Sequence, residues 1–379
     1  MGKNIVKYYP VGNGDTSLLK TNNANIITDC NIREVKDEIY DVKKDLLEEL
    51  EKRDDKPYTD LFILTHHDND HCQNFGEHFH TGKISSYVDG DEKIIIDELW
   101  VNEYILGDDN ISDDTDAGII RKEVRRRRNL YKNNDSSKDE RGNRLVLVGY
   151  DDNNNFTNVP QHIPGDIVSE INGSSFEKFK LFIHAPFKAD VIDSNAVEDR
   201  NMSSIVYQAR FYKNNETEFA CRILHGGDAD HYRWARIKEK SEKNSNEEAL
   251  EWDIFQAPHH CSWTFFNDTP YKDDDKGIDN SEPKQTSIDI LNYKLTGAKV
   301  VTTSKKIVND SDNPPHYPAK TEYVDVVGSS NFENTQKFFD DFKKPIVFEI
   351  DDYGATLIKA SAAAISSGLS KPSRAGRAG

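Results

Sequence analysis

The sequence predicts an α/β domain, and three observations carry that expectation. Short continuous apolar runs of strand length recur along the chain, segments of helical period lie between some of them, and several runs end in residues of the kind that ligate metals. At 379 residues the chain can bury a full-sized core. One domain is expected over residues 1–358, with polar insertions around 107–145 and 238–250. A disordered tail of small residues is expected over 359–379.

Taken in order, "NIVKYYPVG", "TSLLKT" and "IITDC" are apolar stretches separated by the turn formers "GNGD" and "NNAN", so the chain opens in hairpins. From about Val35 to Lys52, Ile39, Val42, Leu46, Leu47 and Leu50 recur at helical spacing among acids and lysines, which predicts an amphipathic helix. "DLFILT" is the form of a strand covered on both faces, and a helix can begin after "DNDH". Further strands are expected at "KIIIDELWV", "RLVLVGY", "KFKLFIHAP", "SSIVYQARFY", "FACRILHGGD", "WDIFQAPHH", "AKVVTTS" and "PIVFEIDD". Helices are expected at Ala117 to Tyr131, His231 to Lys240 and Glu333 to Lys343. "NNDSSKDERGNR" and "KEKSEKNSNEE" nearly lack apolar residues and read as exposed loops.

Lys and Arg number 49 against 67 Asp and Glu, a net charge of −18, so the global field repels polyanions and any nucleic-acid contact has to be local. No segment approaches the ~18 apolar residues that span a bilayer, and the N-terminus lacks the apolar run of a signal peptide. A soluble, cytoplasmic protein without a membrane partner is expected. Cys30, Cys72, Cys221 and Cys261 form no CxxC pair; each flanks a polar motif and reads as a small packing residue beneath a site.

The chemistry concentrates at Thr65 to Cys72, "THHDNDHC", where three histidines and two carboxylates follow a buried strand within six residues. Such a cluster is costly to desolvate unless a cation sits among it. "CRILHGGDAD" ends another strand in Asp228, "WDIFQAPHHCS" a third in His259 and His260, and "IITDC" an early one in Asp29. Four strands ending in ligand-type residues imply one shared rim, the place where α/β folds put their sites.

In this order, "VGNGDTSLL", "IITDC", "LTHHDNDH", "NMSSIVYQARF", "ILHGGDAD" and "APHHCS" resemble the successive motifs of the metallo-β-lactamase superfamily, and within it the hydrolase domain of the ComEC-like competence proteins, over roughly Val6 to Tyr317. The resemblance implies a four-layered αββα sandwich with two divalent ions, Zn²⁺ or Mn²⁺, at one edge. It implies His66 and Asp68 on the first ion, Asp70 and His71 on the second, Asp228 bridging both, and His259 or His260 completing the second. Asp29 would orient ligands from behind. The third ligand of the first ion stays open between Asn201 in "NMSS" and His184 in "FIHAP". Three features depart from the pattern. Asp68 stands where the commoner motif has histidine, which shifts preference toward Mn²⁺ or Mg²⁺; Cys261 stands where glycine is usual; and His67 is an additional histidine, expected behind the ligands or in solvent.

The implied activity is hydrolysis of a phosphodiester, nucleic acid or nucleotide, by water activated between the ions, with Asp70 and Asp228 in catalytic roles. His316 in "NDSDNPPHY" is a candidate for a phosphoryl oxygen, and Lys305 and Lys306 in "TTSKK" for substrate binding. Arg125, Arg126, Arg127 and Arg128 in "RKEVRRRRNLY" would either grip phosphates, since Arg forks match them bidentately, or form a solvated helix face. Hydrolysis of a small ester, lactone or thioester is a second expectation, and a metal-stabilised module partnered with other proteins of a larger assembly is a third.

Overall fold

Side-chain alternation along the strands decides the layering. The computed structural model describes residues 4–359 apart from 37–38, 152, 189–199, 215–216, 268–281 and 310–312. The tail expected beyond 359 lies outside the described residues. Along Lys56–Ile63, Leu61 and Ile63 face one hydrophobic core while Phe62 faces a second. Along Val206–Tyr212, Tyr207, Ala209 and Phe211 face that same first core, and Val206 faces a third. The first core is therefore the seam between two sheets, and each of the other two lies between a sheet and helices. Val42 and Leu46 of Val42–Glu49, with Ile120 and Val124 of Asp116–Lys132, close the second core. Trp234 of His231–Lys243, Ile290 of Gln285–Asn292 and Tyr323 of Tyr317–Val327 close the third. The four layers run αββα, as expected.

Among the described residues the first sheet has eleven strands and the second seven. In the first, Asn25–Thr28, Lys56–Ile63, Ile94–Val101 and Arg144–Val148 run parallel; in the second, Phe219–His225, Trp252–Gln256, Lys294–Thr302 and Phe332–Asn334 do. Parallel neighbours deliver their C-terminal ends to one edge. Asp29 and His66 follow strands of the first sheet there, and Asp228, His259 and His260 follow strands of the second. Hydrogen bonds to backbone carbonyls knit the two edges together: Ile205 N–H donates to the Thr65 carbonyl at 3.0 Å, and the Asn102 side-chain amide donates to the carbonyls of Thr65 and Ser203 at 3.1 and 2.9 Å.

Several elements differ from expectation for local reasons. The helix expected from Val35 to Lys52 is confined to Val42–Glu49, because Asp41 caps it by accepting from the Lys44 N–H. "KEKSEKNSNEE", read as a loop, begins as helix: His231–Lys243 runs on with Ser241 buried and Lys238 paired with Glu242 at 2.7 Å. Tyr317–Val327 escapes the sequence reading because it buries only Ala319 and Tyr323, too few positions to set a period. No helix of the described residues is long and apolar enough to cross a membrane.

The arginine run corrects the expectation most clearly. Arg127 is 1% exposed; its Nε donates to Glu123 at 2.7 Å, and its two Nη groups donate to the carbonyls of Arg144 and Ile96 at 2.8 and 2.9 Å. Arg126 chelates the same carboxylate and donates to the Gly142 carbonyl at 2.7 Å. Arg128 reaches the Asn155 carbonyl at 3.2 Å, and Arg125 is half-buried. Arg126 and Arg127 thus satisfy a buried acid and backbone acceptors; Arg127 is neither solvated nor open to a polyanion, and Arg126, its side chain 23% exposed, has its guanidinium engaged with Glu123, Gly142 and Asn143. Arg127→Ala is expected to cost about 2–4 kcal/mol, because it takes the side-chain donors from the buried carbonyls of Arg144 and Ile96 and leaves the buried Glu123 with Arg126 as its one remaining arginine partner. Arg125→Ala should stay within about 0.5 kcal/mol. Urea midpoints of the two variants check this.

Candidate metal centre

The site is built around the carboxylate of Asp228, 2% exposed, which the Gly226-Gly227 turn carries out from the strand Phe219–His225. Gly227 has φ +50°, and a Cβ there would meet Ser204 and Thr65 at 3.2–3.4 Å, so the turn packs directly on the neighbouring edge. Four imidazoles turn their Nε2 atoms on this carboxylate. His71 Nε2 lies 3.1 Å from Oδ1, while those of His260, His259 and His66 lie 3.5, 3.7 and 3.9 Å from Oδ2. Asp70 Oδ2 stands 3.1 Å from His260 Nε2, and Asp68 Oδ2 3.7 Å from His66 Nε2. Asp70, His71, Asp228 and His260 each offer an atom within 4.8 Å of the others.

The orientation of the rings is set from behind, at Nδ1. His71 Nδ1 donates to Asp29 Oδ2 at 2.8 Å. Asp29 in turn accepts from the Thr65 N–H at 2.7 Å and the Thr65 hydroxyl at 2.6 Å. That hydroxyl, having donated to Asp29, is left to accept from His66 Nδ1 at 3.2 Å. His259 Nδ1 lies 3.3 Å from the Thr264 hydroxyl, which donates its own proton to Ser262. His260 Nδ1 donates to the Thr303 carbonyl at 3.1 Å; the Gly14 N–H at 3.2 Å can bond only the opposite tautomer, which would turn a proton toward the carboxylates. With every Nδ1 engaged, the Nε2 atoms converge.

Electrostatics follow from this crowding. Burial alone would raise the Asp228 pKa, but His71, His260 and His259 hold it well below the usual range. Burial would lower His71, yet Asp228 and Asp29 push it well above an ordinary histidine, and Asp228 with Asp70 pushes His260 up to about 10. Burial and the neighbouring His71 keep His66 neutral. Asp70 overcomes its burial through His260 and His71 and is held below the carboxylate range. Without a cation, then, the site balances its acids by holding protons on His71 and His260.

The remaining expected residues distribute unevenly. Asn201 lies on the short turn Arg200–Ser203, just before Ser204, whose hydroxyl sits 3.3 Å from the Asp228 N–H. His184 is buried elsewhere in its sheet, against Phe182 and Arg210, and its pKa falls to about 3 through burial. It does not join the cluster. His67 is not solvated: it is 1% exposed and turned away from the ligands, its Nε2 2.9 Å from Asp108 Oδ2. His316 is buried beside the turn that follows the histidine pair, accepting from the Trp263 N–H at 2.9 Å through Nδ1 while its own backbone N–H donates to the Cys261 carbonyl at 3.0 Å. Lys305 is exposed beside Asn13 on the rim, whereas Lys306 pairs with Asp340 on a helix. All four cysteines are buried thiols; that of Cys72 donates to the Asp68 carbonyl at 3.2 Å, beneath the loop.

Three residues escaped the sequence reading. Asp15 is buried, accepts from Gln256 Nε2 at 2.8 Å and from the Thr303 hydroxyl, and lies 3.8 Å from His260 Nδ1; burial raises its pKa to about 6. The signal for it was the Gly-Asn-Gly-Asp turn, whose Gly14 permits contact with the ligand loop: a Cβ there would fall 2.6 Å from the Asp70 carbonyl. Asp108 and Arg200 carry no motif. Arg200 donates from Nε to Asp108 at 2.7 Å and from Nη1 to Asp68 Oδ1 at 3.1 Å.

No protein-family model and no curated protein matches the sequence. Among solved structures, the metallo-β-lactamase fold protein YhfI from Bacillus subtilis is similar at 11% identity over 92% of this chain and 100% of its own, with a TM-score of 0.37. A possible metal-dependent hydrolase from Veillonella parvula is similar at 10% identity over 88% of this chain and 96% of its own, with a TM-score of 0.38. A variant of the β-hydroxylase CmlA gives 10% identity, 88% and 52% coverage and a TM-score of 0.40. These are likenesses of outline, and the chemistry of the site rests on its own residues.

Two outcomes follow from the cluster. Loading a divalent ion near neutral pH should release about two protons per chain, those on His71 and His260, so affinity should rise with pH until both histidines have lost their protons. Calorimetry in buffers of differing ionisation enthalpy counts them. Asp29→Asn, which removes the charge behind His71, should weaken metal binding about 10–100-fold at an unchanged circular dichroism spectrum.

Proposed function

We propose that the chain is a metal-dependent hydrolase with two cation positions sharing Asp228, and that its substrate is a phosphodiester. The convergence of four imidazole Nε2 atoms on one buried carboxylate carries this reading. The donor set fits such ions. His66 Nε2, His71 Nε2 and Asp228 Oδ1 are buried without a hydrogen-bond partner, a condition that a cation among them relieves. Mixed imidazole and carboxylate donors suit Zn²⁺ or Mn²⁺. His66, Asp68 and His259 would hold the first ion with Asp228; Asp70, His71 and His260 would hold the second. His259 thereby takes the place for which Asn201 and His184 were candidates.

Ions so held supply Lewis acidity, polarising a phosphoryl oxygen and acidifying water. The protein's own groups do the rest. Asp70, whose side chain is 39% exposed and whose pKa is held low, is an ionised acceptor for a proton from the attacking water. His316 accepts a backbone N–H at Nδ1, so a neutral ring carries its proton on Nε2, the form that donates to a phosphoryl oxygen. Asp29 fixes His71, and Asp15 lies behind His260.

Phosphodiester is favoured over carboxylic ester because Arg200 puts a fixed cation beside Asp68. Protein loaded with Mn²⁺ or Zn²⁺ should hydrolyse a bis-aryl phosphate in preference to the matching aryl ester, and Asp228→Asn should abolish turnover and lower the metal content while the fold stays intact. Faster turnover of the ester would favour the small-ester alternative. Full phosphodiester activity in Asp228→Asn would remove the shared ligand from the scheme.

A further inference from the structure

We propose that Arg200 is the residue by which the site binds the anionic oxygen of its substrate, a phosphoryl oxygen next to the first cation position; this rests on the phosphodiester reading above. The guanidinium is held rather than free. Its Nε donates to Asp108 Oδ2 at 2.7 Å and its Nη1 to Asp68 Oδ1 at 3.1 Å. Asp108 is 2% exposed and is itself fixed by the Asn110 N–H at 2.8 Å and by His67 Nε2 at 2.9 Å. Bonds to two carboxylates, one of them anchored from behind, set the plane of the fork.

Asp68 divides its carboxylate. Oδ1 takes the arginine, while Oδ2 stands 3.7 Å from His66 Nε2 on the side where the first ion would sit. The guanidinium and the His66 imidazole thus stand at the two oxygens of one carboxylate, so a phosphoryl group next to an ion held by His66 and Asp68 would lie within reach of the arginine. Arg200 uses two of its five N–H groups on these partners, and its side chain is 29% exposed, so donors remain at the mouth of the site. A buried structural ion pair would leave none. The arrangement also accounts for the additional histidine, since His67 turns from the ligands to anchor Asp108, and through it the arginine.

A requirement for such a residue is set by the chain's charge. With a net charge of −18 and Asp68, Asp70 and Asp228 at the site, an anionic substrate meets repulsion that a fixed cation offsets locally. A planar fork is suited to phosphate oxygens where a lysine would act as a point charge.

The test is binding of inorganic phosphate to Mn²⁺-loaded protein by calorimetry, comparing wild type with Arg200→Gln and Arg200→Lys, with metal content measured on the same samples. Arg200→Gln is expected to weaken phosphate binding roughly ten- to a hundredfold with both ions retained, and Arg200→Lys to recover part of the loss. In turnover, KM for the bis-aryl phosphate should rise by more than kcat falls. Unchanged phosphate affinity in metal-replete Arg200→Gln would overturn the proposal. So would loss of metal whose replenishment restores phosphate affinity in full, since Arg200 would then only position Asp68. A wild-type protein that binds phosphate through Arg200 yet cleaves no phosphodiester would sink the hydrolase reading and leave the anion site standing.

Discussion

The interaction on which the rest depends is the burial of the Asp228 carboxylate at the seam between two sheets. A bare carboxylate there is costly by several kcal/mol even after relaxation. Its surroundings are arranged against that cost. Four imidazoles arrive from loops of both sheets, and two of them hold protons when no cation is present. The sheets make this convergence possible, because their parallel portions terminate on the same rim, where Ile205 reaches across to the Thr65 carbonyl and Asn102 to the Ser203 carbonyl. Core packing and site geometry are thus one constraint. Shifting either sheet would move ligands that come from both.

Local backbone conformation shows the same dependence. His259, His260 and Cys261 occupy the left-handed region in succession, at φ +48°, +54° and +69°, and Asp29 does so at +57°. Each such residue costs about 1–2 kcal/mol without a glycine. The turn persists because it is held from outside: His259 N–H donates to the Gly227 carbonyl at 3.1 Å, and His316 binds both the Cys261 carbonyl and the Trp263 N–H. Cys261, standing where glycine is usual, keeps the left-handed conformation, and its side chain is fully buried. A departure legible in the sequence is absorbed by contacts that were not.

How much could be read beforehand follows the same division. Strands announce themselves through apolar runs, and the clustering of His66, Asp68, Asp70 and His71 needs only local spacing to be noticed. Helices that bury few residues, such as Tyr317–Val327, leave no period to find. The supporting residues are harder still: Asp15 meets Thr303 and Gln256, and Asp108 meets Arg200, across separations that only the topology closes. Arg127 misleads in the opposite way. Four consecutive arginines look like a surface patch, yet Glu123 and two strand carbonyls draw one of them into the interior. Composition reports charge, and only tertiary packing decides which charges are already used.

That distinction bears on the two cation positions themselves, which are unequal in the proposed arrangement. Asp70, His71, His260 and Asp228 already stand within 4.8 Å of one another, and no lysine or arginine of the described residues pairs with either carboxylate. Around the first position, Asp68 is one-third exposed and gives one oxygen to Arg200, while His259 is about a quarter exposed. A guanidinium drawing on the same carboxylate weakens it as a donor, and solvent access lowers the penalty of leaving the position empty. The second position therefore has the features of a holding site, and the first those of a site open to exchange with solvent and substrate. Having Asp68 in place of a histidine ligand joins these properties: a carboxylate has a second oxygen with which to hold an arginine, and an imidazole whose Nδ1 is anchored has none.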